Sequence, residues 1–243
     1  MNRRIVAILL AGASLSGCSR FSSDTTESRP LVVVMFDVSR STRDPAVRER
    51  YRATFAQVVD FVSAQHGTVV GDMIDTDPLA HSTFPIDATF QACNPLTDNR
   101  LTCEARSAQL RTQVLAEADA ILNQVPVVAG TDIHDGVLLA SRVFDAYPEA
   151  TSRSLVMLSD MVEHSDRIHG TVHSGAVLDG LTADGLVPDL RGVSVYVSGA
   201  GVTSNPGPSQ GFLATQAFWQ AYFGRAGADL PNERYGAALV RFP

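Results

Sequence analysis

The chain has 243 residues, 45% of them hydrophobic and 19% charged, enough for one substantial core. All 19 basic residues are Arg, so a Walker-type phosphate loop, a Schiff-base Lys and a Lys general base are excluded together. A net charge of −7 argues against nucleic acid as a partner, because phosphate binding is driven by clustered cations.

Met1-Asn2-Arg3-Arg4 is a cationic start, and residues 5–15 are an apolar and small-residue run too short to cross a hydrocarbon layer of about 30 Å as a helix. That pattern reads as a signal peptide over residues 1–17. Leu15-Ser16-Gly17-Cys18 resembles the lipobox of bacterial lipoproteins. The resemblance implies that Cys18 receives a diacylglyceryl group on sulfur and becomes the new N-terminus, leaving 17 Arg against 26 acids, a net −9. The expected place is the bacterial cell envelope, lipid-anchored to a membrane. In a Gram-negative cell, Ser19 resembles the pattern of lipoproteins passed to the outer membrane, facing the periplasm or the surface. Residues 18–30 form the lipidated Cys and a polar tether with an r.m.s. span of about 20 Å.

With Cys18 committed to lipid, Cys93 and Cys103 remain as a pair in a short polar stretch, and export makes a disulfide between them reasonable. On the chain-entropy view that closure stabilises by roughly 3 kcal/mol. A zinc site is a poor alternative, since no Cys-x-x-Cys exists and no His lies between the two.

Residues 31–243 then read as one domain. Leu31–Phe36 is a continuous apolar run, as a buried parallel strand looks, ending at Asp37. Asp44-Pro45 offers an N-cap and an N1 proline to a helix carrying Val47, Tyr51, Phe55, Val58 and Val62 on one face. Thr68–Ile74 is the second strand, and Leu110 to Val125 and Ile133 to Phe144 are the next two helices. Ser154–Leu158 and Val193–Val197 are strands, Phe212 to Phe223 a late helix, and Ala237–Phe242 a last strand. Strands alternating with helices imply an α/β fold, a doubly wound and mostly parallel sheet with helices on both faces. Residues 77–103 break the alternation as a disulfide-stapled excursion, with Ala88–Ala92 as an edge strand.

In such sheets ligands gather beyond the carboxyl ends of the strands. Three polar groups fall there: Asp37-Val38-Ser39-Arg40-Ser41, Gly130-Thr131-Asp132 and Ser159-Asp160. Alternate positions of the first could turn one carboxylate and two hydroxyls toward a common point. Together they resemble the von Willebrand factor type A domain, whose metal-ion-dependent adhesion site reads Asp-x-Ser-x-Ser, then a separate Thr, then a separate Asp. The resemblance covers roughly residues 31–240 and implies that Asp37, Ser39, Ser41, Thr131 and Asp160 bind a cation. The Cys93–Cys103 excursion and the His-bearing segment after Asp160 depart from that family pattern. Oxygen donors without thiolate or imidazole suit a hard ion, Mg²⁺, or else Mn²⁺ or Ca²⁺. Such an ion keeps an exchangeable position that an Asp or Glu carboxylate of a protein partner can fill.

The function expected is therefore a membrane-anchored, extracytoplasmic, metal-dependent protein-binding module for adhesion or assembly, not an enzyme. One alternative is a metal-dependent envelope hydrolase with His134 or Asp132 as base. Another is a structural envelope protein whose metal only stiffens loops. The plain reading of Asp37-x-Ser-x-Ser is a strand-end turn bonding its own backbone. His164, His169 and His173 read as a solvated loop, with His169-x-x-x-His173 a weaker zinc pattern. Asp72, Asp75 and Asp77 read as strand-end and turn residues. Residues 199–208 read as a breaker-rich connector on the metal edge.

Overall fold

The computed structural model describes residues 29–94, 96–124, 130–165, 167–170, 175–201, 210–239 and 242–243. Cys18 and most of the tether, Val125, His173, the Pro206-Gly207-Pro208 part of the connector and residues 240–241 lie outside these.

The chain runs β1 (Pro30–Asp37), α1 (Pro45–Ala64), β2 (Thr68–Ile74), α2 (Pro78–His81), β3 (Ile86–Thr89), α3 (Arg100–Leu122), α4 (Ile133–Ala146) and β4 (Ser152–Leu158). It continues through β5 (Glu163–His164), β6 (His169–Gly170), α5 (Gly175–Ala183), β7 (Val193–Ser198), α6 (Gln210–Arg225) and β8 (Tyr235–Gly236). Among the described residues six strands form one sheet in the order β3-β2-β1-β4-β7-β8. Every neighbour pair is parallel except β2 with β3. This is the doubly wound, mostly parallel α/β sheet expected from the alternation of elements.

The central strand β1 is apolar from Leu31 to Phe36 because both its faces are covered. Leu31, Val33 and Met35 point into a core shared with α4, α5 and α6, whose centre is Trp219, Tyr222 and Phe223. Val32, Val34 and Phe36 point the other way, against Tyr51, Phe55 and Val58 of α1 and Val114, Ala118 and Ile121 of α3. Phe36 and Phe55 meet edge to face, ring centroids 5.1 Å apart.

Asx side chains start four of the helices, Asp77 of the short α2 among them, each satisfying a backbone N–H that the helix leaves unpaired. Asp44 accepts from Ala46 N–H at 2.7 Å for α1, Asn99 from Thr102 N–H at 3.3 Å for α3, and Asp132 from Asp135 N–H at 2.8 Å for α4.

Several expectations need correction. The edge strand is Ile86–Thr89 rather than 88–92; Phe90 N–H still donates to the Gly67 carbonyl at 2.9 Å in the same antiparallel register, and the pairing goes no further. α3 begins inside the supposed excursion, so Cys103 sits on a helix, bonded to Cys93 with Cα atoms 5.9 Å apart. The last strand is Tyr235–Gly236, paired with Val197 and Ser198, instead of Ala237–Phe242. His169 lies in a short strand opposite His164 rather than on a helix, and His173 lies outside the described residues.

Candidate functional site

β1 ends in the sheet at Asp37, which is 1% exposed. The chain then tightens into a 3-10 turn, Arg40–Thr42, closed by the Thr42 hydroxyl, which lies 2.8 Å from the Asp37 carbonyl and 3.0 Å from that of Ser39. Ser39 N–H donates to Asp37 Oδ1 at 2.9 Å, and the Ser39 and Ser41 hydroxyls lie 3.0 Å apart. The alternate spacing thus turns one carboxylate and two hydroxyls to one side, as the spacing predicts.

β4 runs parallel to β1 and ends beside it. Ser159 Oγ donates to Asp37 Oδ2 at 2.7 Å and accepts from Met161 N–H at 2.9 Å. Asp160 follows, 4% exposed; its Oδ1 accepts from Val162 N–H at 3.0 Å, and its Oδ2 is buried with no hydrogen-bond partner among the described residues. Met161 takes a left-handed φ of 61°, unusual for its type, and its carbonyl accepts from Trp219 Nε1–H at 3.0 Å. Core packing therefore holds the turn that carries Asp160.

Thr131 arrives from a third segment. Its backbone pairs with His164 in an isolated bridge, His164 N–H donating to the Thr131 carbonyl at 2.9 Å. Glu163 Oε2 accepts from Ile133 and His134 N–H at 2.8 and 3.3 Å, clamping the first turn of α4 to the segment that follows Asp160. Thr131, 2% exposed, lines with Ser39, Ser41, Arg40 and His164 a cleft of about 570 Å³.

The electrostatics follow from burial. Asp37 is pushed up to about 7, first by loss of water and then by the charge of Asp160, against the lowering effect of Ser39 and Ser159. Burial likewise raises Asp160, with the Ser41 hydroxyl and Val162 N–H pulling the other way. Tyr51, fully buried, is raised by burial and then by both carboxylates, and its hydroxyl has no hydrogen-bond partner among the described residues. Gly199, at φ 114°, lets the turn after β7 pass close to the Tyr51 hydroxyl and to the Ser159 carbonyl, leaving no room for a Cβ. Two adjacent buried carboxylates with an orphaned oxygen, flanked by hydroxyls, form an all-oxygen donor set short of positive charge. That is what a hard cation satisfies. The residues able to hold one are Asp37, Ser39, Ser41, Thr131 and Asp160. All sit at the carboxyl ends of the strands or in the loops that meet there.

His134 is not beside this cleft in the way a base would need. Its ring is fully buried, Nε2 lies 2.8 Å from the Leu186 carbonyl, and Nδ1 lies 3.2 Å from Asp135. Asp132 is engaged as a helix cap. Asp132, His134 and Asp135 lie near enough to share a cation, but Arg167 already donates to Asp135 Oδ1 at 2.9 Å. Asp72 is tied by Ser82, Thr83 and Phe84 donors at 2.7, 3.1 and 2.9 Å; Asp75 pairs with His81, and Asp77 caps α2. These acids are structural.

Sequence reasoning missed Tyr51, Glu163 and the clasp from Ser159 to Asp37. Tyr51 is simply one of the apolar-face residues of α1, and Glu163 carries no local signal. Ser159 was visible only as the neighbour of Asp160.

The class defined is an open α/β sheet with an oxygen-lined cleft at its carboxyl edge. No protein-family model and no curated protein matches the chain. Solved structures similar to it include manganese-loaded TRAP protein of Plasmodium vivax, at 11% identity and a TM-score of 0.47 over 88% of this chain and 70% of that one. The pilus adhesin SpaC of Lactobacillus rhamnosus GG is similar at 13% identity and 0.35, over 82% of this chain and 30% of the adhesin. Proximal thread matrix protein 1 of the mussel byssus gives 15% and 0.32, over 70% and 38%. The chain thus spans about a third of the latter two, and the site is read from its own geometry.

Proposed function

We infer that the chain is a membrane-anchored, extracytoplasmic binding module of the von Willebrand factor A type. It holds a divalent cation, Mg²⁺ or else Mn²⁺ or Ca²⁺, on Asp37, Ser39, Ser41, Thr131 and Asp160, and it recognises an Asp or Glu carboxylate on a protein partner. The single observation that carries this reading is the buried, partnerless Oδ2 of Asp160 next to the buried carboxylate of Asp37.

The bound cation supplies positive charge and an exchangeable position open to an outside oxygen. The chain supplies the rest. Ser159 and Ser39 N–H orient Asp37, Val162 N–H orients Asp160, and the Glu163 clamp fixes the Thr131 loop relative to both. Arg40 lines the cleft and would draw a partner's carboxylate toward it. The buried ring of His134, held at the Leu186 carbonyl, and the capping role of Asp132 leave neither placed as the base of a hydrolase, which favours binding over turnover.

The test compares melting and partner capture with Mg²⁺ and with EDTA, for the natural chain and Asp37→Ala. Mg²⁺ at roughly 100 times its Kd should raise Tm by about 5–10 °C and permit capture from native membranes, and the substitution should abolish both. Equal melting and capture under chelation would refute the reading.

A further inference from the structure

Leu96 is 93% exposed and Leu101 77% exposed, although leucines of this size are ordinarily covered. Both lie in the segment closed by the Cys93–Cys103 disulfide, and Leu101 is in the first turn of α3. The segment belongs to one particular end of the molecule. Cys93 and Asn94 border, with Arg29 and Pro30, a cleft of about 530 Å³ where β1 begins. The cation cleft lies at the other end of β1, about 25 Å away along the strand. Leu213, 58% exposed, is in the first turn of α6, after the carboxyl end of β7, and so is not part of this patch.

We propose that Leu96 and Leu101 seat the domain on the lipid surface that holds Cys18, so that the strand-start end faces the membrane and the cation cleft faces away. This rests on the lipid-anchor reading given above. Residues 19–29 join Cys18 to the domain, and they enter it at Arg29, the end that carries the two leucines. Even fully extended they reach no more than about 40 Å. The acyl chains therefore hold the leucines at high local concentration over the bilayer, and side chains too few to bind a membrane alone become sufficient. Each leucine moved out of water raises the seated population about tenfold. In the same stretch of chain Asp98, Arg100, Glu104 and Arg106 sum to zero charge, Arg100 pairing with Glu104, so the segment neither strongly attracts nor repels anionic headgroups. Seating is accordingly insensitive to salt.

The experiment uses the full lipidated chain in vesicles of phosphatidylethanolamine and phosphatidylglycerol, some carrying brominated acyl chains. Leu96→Trp and Leu101→Trp variants should show blue-shifted emission quenched by the brominated chains, unchanged by added salt, while Leu213→Trp is unquenched. Trp219, fully buried, supplies a constant background. Flotation of the same vesicles, with the mass of the N-terminal peptide, reads the anchor separately. A chain that floats without quenching at 96 or 101 overturns the seating and leaves the anchor standing, whereas a chain that neither floats nor carries acyl mass overturns both. Equal quenching at 213 would mean free tumbling and would also overturn the seating. So would a blue shift that follows protein density rather than lipid, which would assign the leucines to a second copy of the chain.

Discussion

Asp37 and Asp160 are two carboxylates withdrawn from water side by side, with too few donors to offset the cost. Burial and then Asp160 raise Asp37 to about 7, and Asp160, Asp132 and Glu163 are raised chiefly by burial. A raised folded-state value means that Asp37 favours the metal-free fold fully below the unfolded value of about 3.9, and that this contribution, on the order of 4 kcal/mol, fades as pH climbs to about 7. In EDTA, Tm should therefore fall across that window. With excess Mg²⁺ the fall should flatten, since the cation takes the place of the proton. A chelated protein that melts higher at neutral than at acid pH would contradict this. Asp37→Asn should stabilise the chelated protein at neutral pH by roughly 1–2 kcal/mol while removing the response to Mg²⁺, measured by denaturant unfolding. Ser159→Ala, which leaves the donor set intact but frees Asp37 Oδ2, should weaken Mg²⁺ binding about tenfold by calorimetry.

At the scale of elements, the loops beyond the strands are held by contacts that no neighbouring sequence announces. Gly199 passes between Tyr51 and the Ser159 carbonyl at a φ of 114°, so Gly199→Ala should cost about 2 kcal/mol or more and weaken Mg²⁺ binding by displacing Ser159. Cys93→Ser with Cys103→Ser should cost up to about 3 kcal/mol yet leave the Mg²⁺ response intact, because the disulfide lies at the far end of the sheet. The elements that the sequence made legible are those where local and tertiary demands coincide. The apolar run of β1 and the Asp44-Pro45 start of α1 are examples. The first turns of α3 were not legible because Arg100 to Arg106 bury little besides Cys103, leaving no apolar stripe to read. The two-residue β8 is a strand only because Val197 and Ser198 pair with it. In the site, Asp-x-Ser-x-Ser is a local pattern and could be read. The nearness of Thr131 depends on Glu163 and His164, 32 and 33 residues away in the chain, so no local pattern announces it and only the rule for sheet edges and the family resemblance pointed there.

For the whole molecule, the candidate cation cleft and the main core share one fastening. Trp219, in the centre of one core face, donates to the carbonyl of Met161 in the turn that carries Asp160. Melting followed by Trp219 fluorescence and by far-ultraviolet circular dichroism should give the same midpoint, and Mg²⁺ should move both together. Separate midpoints would mean that the edge loops open independently of the core.

Any protein with an open sheet edge risks adding strand to strand when its copies are crowded together. β3, at one border of the sheet, is only four residues long and carries outward-facing Asp87, whose carboxylate accepts from the Tyr147 hydroxyl at 3.1 Å. Past its reach, the Asp72 carboxylate gathers the backbone N–H groups of Thr83 and Phe84 over the remainder of β2. That flank offers little template to a neighbour, so dense display should leave the molecules as separate units rather than seed fibrils.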